Sequence, residues 1–128
     1  MSNTHDNPYA RLERIFHEPG RLTIMSNLLG AIDGLTFTEL KEACELTDGN
    51  LSRHLSALEN AKAVHIKKSF AGSRPQTTIS LSKQGREDFM AYLQALEAVL
   101  LDAAEKVAVQ DGKPAPKRTL FSTRLANA

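Results

Sequence analysis

The sequence predicts a mainly α chain with a small β-hairpin, an α+β arrangement. Three observations predict it. Apolar residues recur at helical spacing in several separate stretches, whereas between residues 64 and 81 the spacing changes to two and Val, Ile and Thr take over. Aromatic residues make up only 5% with no Trp, so the core must come from Leu, Ile, Val and Ala, which suits helices packed on a little sheet. Finally, one apolar stripe from Phe89 to Val107 outlasts the small domain that precedes it.

Taken in order, residues 1–8 read as a frayed terminus. Leu12, Ile15 and Phe16 lie at helical spacing from Tyr9 onward, and Pro19-Gly20 interrupts them. Pro19 suits a first helical turn, and Leu22, Ile24, Met25, Leu28 and Leu29 carry a helix to Gly30. Asp33-Gly34 is a turn and residues 35–37 a short extended piece. Thr38 is then expected to cap a helix over residues 39–46, with Leu40, Ala43 and Cys44 on one face. Thr47 caps the next helix, 48–60, whose Leu51, Leu55 and Leu58 form a narrow buried stripe. Residues 64–70 and 77–81 pair as a hairpin with a long, flexible tip, and a kink is expected near Lys68, which breaks the alternation if Phe70 points inward. Ser82 caps the last helix, from Lys83 to about Val109, and the segment beyond Asp111 lacks any period.

Charge is distributed unevenly. The net charge is +1, but residues 1–46 hold four Lys/Arg against seven Asp/Glu, and 82–111 hold three against six. Residues 47–81 reverse the balance with Arg53, Lys62, Lys67, Lys68 and Arg74 against Asp48 and Glu59. Positive charge in the body is therefore concentrated in one block, as a surface facing a polyanion requires. The polar start offers no signal peptide and no run is apolar enough to span a membrane, so a cytoplasmic location is expected. The single cysteine excludes an internal disulfide or a Cys-rich zinc site. Cys44 reads as a packing thiol, with a redox switch as the other reading. No phosphate loop, metalloprotease signature or nucleophile elbow is present, so no catalytic residue, metal ligand or cofactor is expected.

The order helix, turn, helix, hairpin, long helix coincides with the basic block. A second helix entering a major groove needs short polar side chains outward and apolar backing behind. Thr47, Asn50, Ser52, Arg53, His54 and Ser56 supply the first, the leucine stripe the second. For His54, simple solvent exposure is the alternative. The hairpin supplies Lys67 and Lys68 for phosphates, with Ser73 and Arg74 at the tip.

These residues resemble a known family. The strings TDGNLSRHLSALENA, FAGSRPQTTISLS and LSKQGRE, in that order, make residues 35–101 similar to winged-helix regulators related to the MarR and ArsR types. The resemblance implies a winged helix-turn-helix with a long C-terminal dimerisation helix, and a homodimer reading double-stranded DNA at a near-palindromic operator. It implies that Asn50, Ser52, Arg53 and His54 face the major groove and that Arg74 is the wing contact. One departure stands out: Lys62-Ala63 occupy the place of a usual Gly and aromatic, so either Lys62 takes a left-handed cap at some cost or the helix ends differently, which bears on the angle of the wing. The expected organisation is an N-terminal arm and short helix over 1–18, the winged helix-turn-helix over 19–82, the dimerisation helix over 83–110 and a flexible basic tail over 111–128. Phe89, Tyr92, Leu93, Leu96, Val99, Leu100, Ala103 and Val107 are expected to form the dimer seam; a helix folding back on its own domain is the other reading. The overall expectation is a transcriptional repressor. A protein-interaction module and a sensor of a metal or small effector remain alternatives, and the sequence names no effector.

Overall fold

The computed structural model describes residues 7–114, so the start of the expected arm and most of the basic tail lie outside the described residues. Residues 14–89 form one compact unit, and the described parts of 1–13 and 90–128 form a second.

In the first unit, helix α1 spans Pro19–Leu29, strand β1 Leu35–Thr36, helix α2 Phe37–Cys44 and helix α3 Asp48–Asn60. Strands β2 (Val64–Ala71) and β3 (Arg74–Leu81) follow, then helix α4, Lys83–Asp111. The sheet order is β1-β3-β2, all antiparallel. Ile24, Met25 and Leu28 of α1, Leu40 of α2, Leu51, Leu55 and Leu58 of α3, and Ile79 of β3 are buried together with Phe16 and Phe89. The two phenylalanine rings meet edge to face, 5.3 Å between centroids, a contact that stabilises by about 0.5–1.5 kcal/mol beyond the area it buries.

Three local expectations are corrected. The segment from Tyr9 to Phe16 is not an α-helix: a single 3-10 turn, Pro8–Arg11, is followed by turns. Its three apolar residues are too few to sustain a helix before Pro19 restarts the chain. Helix α2 begins two residues earlier than expected because Thr36, not Thr38, caps it. The Thr36 hydroxyl accepts from the Glu39 N–H at 3.1 Å, and the Glu39 carboxylate accepts from the Thr36 N–H at 2.9 Å. Only Thr36 has a glutamate three residues on, so only it can close this reciprocal box. Third, the hairpin neither kinks nor has a long tip. Pairing runs unbroken from Val64 opposite Leu81 to Ala71 opposite Arg74, leaving Gly72-Ser73 as a two-residue turn. Gly72 takes φ +69°, which a tight hairpin turn of this kind demands.

Helices α2 and α3 both end in left-handed residues that are not glycine. Glu45 has φ 55° and Lys62 φ 63°. At Lys62 the first of the two alternatives is realised: its N–H reaches the Glu59 carbonyl at 2.9 Å and the Ala63 N–H reaches the Leu58 carbonyl at 2.9 Å, the paired bonds of a Schellman cap. Ser82 then locks the start of α4. Its hydroxyl donates to the Lys62 carbonyl at 2.6 Å and accepts from the Gly85 N–H at 2.7 Å. Gly85 lies so close to Ala63 that a Cβ would run into the Ala63 carbonyl.

In the second unit the Tyr9 hydroxyl donates to Asp102 at 2.7 Å, and Lys106 pairs with the same carboxylate at 2.9 Å. Tyr92 and Ala95 are buried, whereas Leu100 and Val107 are 62% and 57% exposed. None of the described helices is long and apolar enough to cross a membrane.

Candidate nucleic-acid interface

Helix α3 is held at its N-terminal end in two ways. Its N-cap is Thr47, whose hydroxyl accepts from the Asn50 N–H at 3.1 Å. Lys41, in the last turn of α2, pairs with Asp48 in the first turn of α3 at 2.9 Å. Each charge also sits at the helix end whose dipole favours it. This exposed bridge adds little stability by itself, but it ties the two helices across their turn.

The outward face of α3 carries Asn50, Ser52, Arg53 and Ser56, all exposed. The Arg53 guanidinium reaches the Asn50 side-chain oxygen at 3.4 Å, so the two polar groups stand side by side. Gly49 is exposed too, and a Cβ there would meet nothing, so folding does not require a glycine at that place.

His54 is different. It is only 4% exposed and lies on the inner face with Leu51, Leu55 and Leu58. Its Nδ1 stands 3.4 Å from a Glu18 carboxylate oxygen and 3.4 Å from an Arg21 guanidinium nitrogen. Gly20 is packed so closely that a Cβ would lie 2.5 Å from the His54 Nε2. The expected groove-facing role of His54 is therefore corrected: the ring is a buried link to α1. The signal was available, since 51, 54, 55 and 58 follow the i, i+3, i+4, i+7 repeat of an apolar helix face. Burial pushes the His54 pKa below its ordinary value, Arg53 and Arg21 push the same way, and Glu18 opposes them.

The wing rises beside this helix. Ser52, Ser56 and Glu59 of α3 and Ile66, Lys68 and Thr77 of the wing line an open groove of about 660 Å³ that also touches Phe37. Strand alternation puts Lys68 on the same face as Ile66, toward α3, and Lys67 on the opposite face. Arg74 pairs with Ala71 and shares the face of Lys67, and Ser73 is in the turn. Thr47, Lys67, Lys68, Ser73 and Arg74 are all exposed. Adjacent in sequence, the two lysines are separated by the pleat.

The dimer-seam set also divides. Phe89 and Tyr92 are buried within the chain and so belong to its core, which corrects their assignment to an intermolecular seam. Leu93, Leu96 and Val99 are half-buried, and Leu100, Ala103 and Val107 are exposed.

The helix–turn–helix and the hairpin agree with comparison to known proteins. The profile of the family described as "Winged helix DNA-binding domain" matches residues 21–100, and the chain belongs to that family. It is 39% identical over 80 residues to the uncharacterised protein MJ0432 of Methanocaldococcus jannaschii, an alignment covering 62% of this chain and 86% of that protein. Among solved structures, the transcriptional regulator homologue of Pyrococcus horikoshii OT3 is 33% identical, with a TM-score of 0.65 over 69% of this chain and 86% of that one. The S. aureus MepR–DNA complex is similar in fold, with a TM-score of 0.60 at 20% identity, covering 84% of this chain and 87% of that one.

Proposed function

We propose that this chain is a transcriptional repressor that binds duplex DNA as a homodimer, with α3 in the major groove and the hairpin as wing. The observation that carries the reading is the juxtaposition of the polar, exposed face of α3 with a wing whose residues 64–81 include Lys67, Lys68 and Arg74 and no carboxylate. Asn50 and Arg53 are the side chains suited to base edges, adenine N6/N7 and guanine O6/N7 respectively. Thr47, Ser52 and Ser56 border them, and Lys67, Lys68, Ser73 and Arg74 meet phosphates. Family membership supports DNA as the partner, and the Pyrococcus relative, described as a transcriptional regulator homologue, supports regulation. In this reading residues 19–82 bind DNA and residues 83–110 carry dimerisation.

The dimer reading is supported by Leu93, Leu96, Leu100, Ala103 and Val107, which follow a 3-4-3-4 spacing along α4 and become progressively exposed. A two-fold dimer would present two copies of α3 to half-sites about one helical turn, roughly 34 Å, apart. Repression follows from occupancy: a dimer seated on a promoter excludes polymerase.

Gel shifts on duplexes selected by the protein from a random pool test the reading. Binding is expected to weaken steeply between about 50 and 200 mM salt through counterion release. A folded protein that selects no duplex at low salt would sink it. A salt-insensitive protein partner in place of DNA would favour an interaction module.

A further inference from the structure

The wing ends in an apolar point. Phe70 is 71% exposed and pairs across the hairpin with exposed Pro75, one step from the Gly72-Ser73 turn. Phe70, Lys68, Ile66 and Val64 share one face of β2, and that face lines the groove beside the exposed serines of α3. The chain does not need this ring for its own core, since burial on this face fades from buried Ile79 through half-buried Ile66 and Thr77 to exposed Lys68, Phe70 and Pro75.

We propose that Phe70, backed by Pro75, is a minor-groove wedge that inserts at a base step beside the site read by α3. This rests on the DNA-binding reading above and adds a subsite to it. Four features favour a duplex groove as the occupant over an apolar protein surface. Lys68 lies on one face of the wing and Lys67 with Arg74 on the other, so a wing entering edgewise offers a cation to each of the two strands that wall a minor groove. Residues 64–81 hold no carboxylate to repel either strand. The reach also fits: five residues beyond Ile66 extend roughly 17 Å at about 3.3 Å per residue. The minor groove neighbouring a major groove lies about half of a 34 Å turn away. The tip is a two-residue turn, the narrowest end that a hairpin presents to a groove about 6 Å wide. Phe and Pro are side chains that architectural proteins use to part a base step, kinking the duplex by about 20–90°. Flexible pyrimidine–purine steps part most easily, so the wedge would impose a sequence preference at positions that no polar group touches.

The test uses the full chain and the duplex it selects from a random pool, with 2-aminopurine placed in turn at each flanking step and fluorophores at the ends. The wild type is expected to raise 2-aminopurine fluorescence at one flanking step and to shorten the end-to-end distance. Phe70→Ala should abolish both and weaken binding about tenfold, while Phe70→Leu, still an apolar wedge, should retain most of the kink. Because Phe70 is exposed, neither change disturbs the core. Selection of a duplex with no fluorescence rise, or a Phe70→Ala protein that unstacks and bends like the wild type, overturns the wedge and leaves the DNA-binding reading intact. Weaker binding of Phe70→Ala to a duplex that the wild type leaves stacked also overturns it, since the ring would then only touch a sugar. If the wild type selects no duplex at all, the DNA-binding reading itself fails.

Discussion

The Nδ1 of His54 stands 3.4 Å from the carboxylate of Glu18, which joins the inner face of α3 to the residue that caps α1. The same carboxylate accepts from the Gly20 and Arg21 backbone N–H groups at 3.1 and 3.0 Å. The groups facing the ring are Glu18 and Arg21 from α1 and, on its own helix, Arg53. With the His54 pKa lowered in the folded state, the unfolded chain binds more protons below its ordinary pKa of about 6.5. Stability is therefore lost as pH falls from there through the folded value. Burial works to raise the Glu18 pKa, but the two N–H donors outweigh it with help from His54 and Arg21, so its folded value is also low. Its contribution disappears at still lower pH, in the same direction. Urea midpoints between pH 7.5 and 5 should fall, and His54→Gln should flatten that fall. His54→Ala should cost about 1–3 kcal/mol at pH 7.5, because a ring only 4% exposed leaves a gap and its polar contacts with Glu18 and Arg21 are lost. A midpoint of the wild type independent of pH across this range would refute the coupling.

Gly20 is the space in which that ring sits. Adding a methyl group 2.5 Å from Nε2 must displace an imidazole already engaged by Glu18 and Arg21. Gly20→Ala is expected to destabilise by about 1–3 kcal/mol despite alanine's better helix propensity. In a double-mutant cycle with His54→Ala most of that cost should vanish. Additive effects in thermal melts would place the strain elsewhere.

Those two residues also mark where the sequence was legible and where it was not. The bounds of α1 and α3 follow from Pro19, Gly30 and Thr47, because caps and breakers act locally. His54 departs from its expected outward placement because its polarity masks a position that the helical repeat assigns to the buried face; Glu18 and Arg21, more than thirty residues away in the chain, make that burial tolerable. The wing shows the same limit. Its strands are visible in the alternation, yet past Ile66 no core remains to demand apolar residues, so Lys68 looks like a fault although the ladder continues. The Thr36 cap is legible in the sequence: its partner Glu39 stands at the spacing a capping box requires.

The left-handed cap at Lys62 can be tested by removing its side chain. A non-glycine residue at φ 63° costs roughly 1–2 kcal/mol, and glycine gives back part of that gain through the entropy it loses on folding. Lys62→Gly should stabilise by about 0.5–1 kcal/mol, a melting shift of a few degrees for a unit of this size. The Schellman bonds from residues 62 and 63 are made by the backbone and survive the change. A lower urea midpoint for the glycine variant would contradict the strain.

Lys67 and Lys68 occupy opposite faces of the wing, so they should act on different strands of a duplex and act independently. Each single change to alanine is expected to weaken binding to all duplexes alike and to reduce the salt slope by about one, and the double change by about two. Arg53→Ala should instead relax base preference by about 1–3 kcal/mol at one position and leave the slope nearly unaltered. Affinities measured at several salt concentrations separate the two behaviours; slopes unmoved by either lysine would remove the wing from the contact.

Leu100 offers the cleanest test of the proposed dimer, because at 62% exposure it contributes little to the chain's own core. Leu96, Leu100, Ala103 and Val107 recur at coiled-coil spacing, so a partner helix would meet them in one line. Leu100→Glu places a charge in that line and should yield a folded monomer by light scattering, with unchanged helical circular dichroism. Because two tethered reading heads bind with far greater avidity than one, its affinity for a palindromic duplex should fall by about 100-fold or more. Its affinity for a single half-site should stay near the wild-type value, since α3 and the wing are untouched. A Leu100→Glu protein that remains dimeric would move the seam off this stripe, and equal loss on half-site and palindrome would mean that the change had damaged the reading head itself.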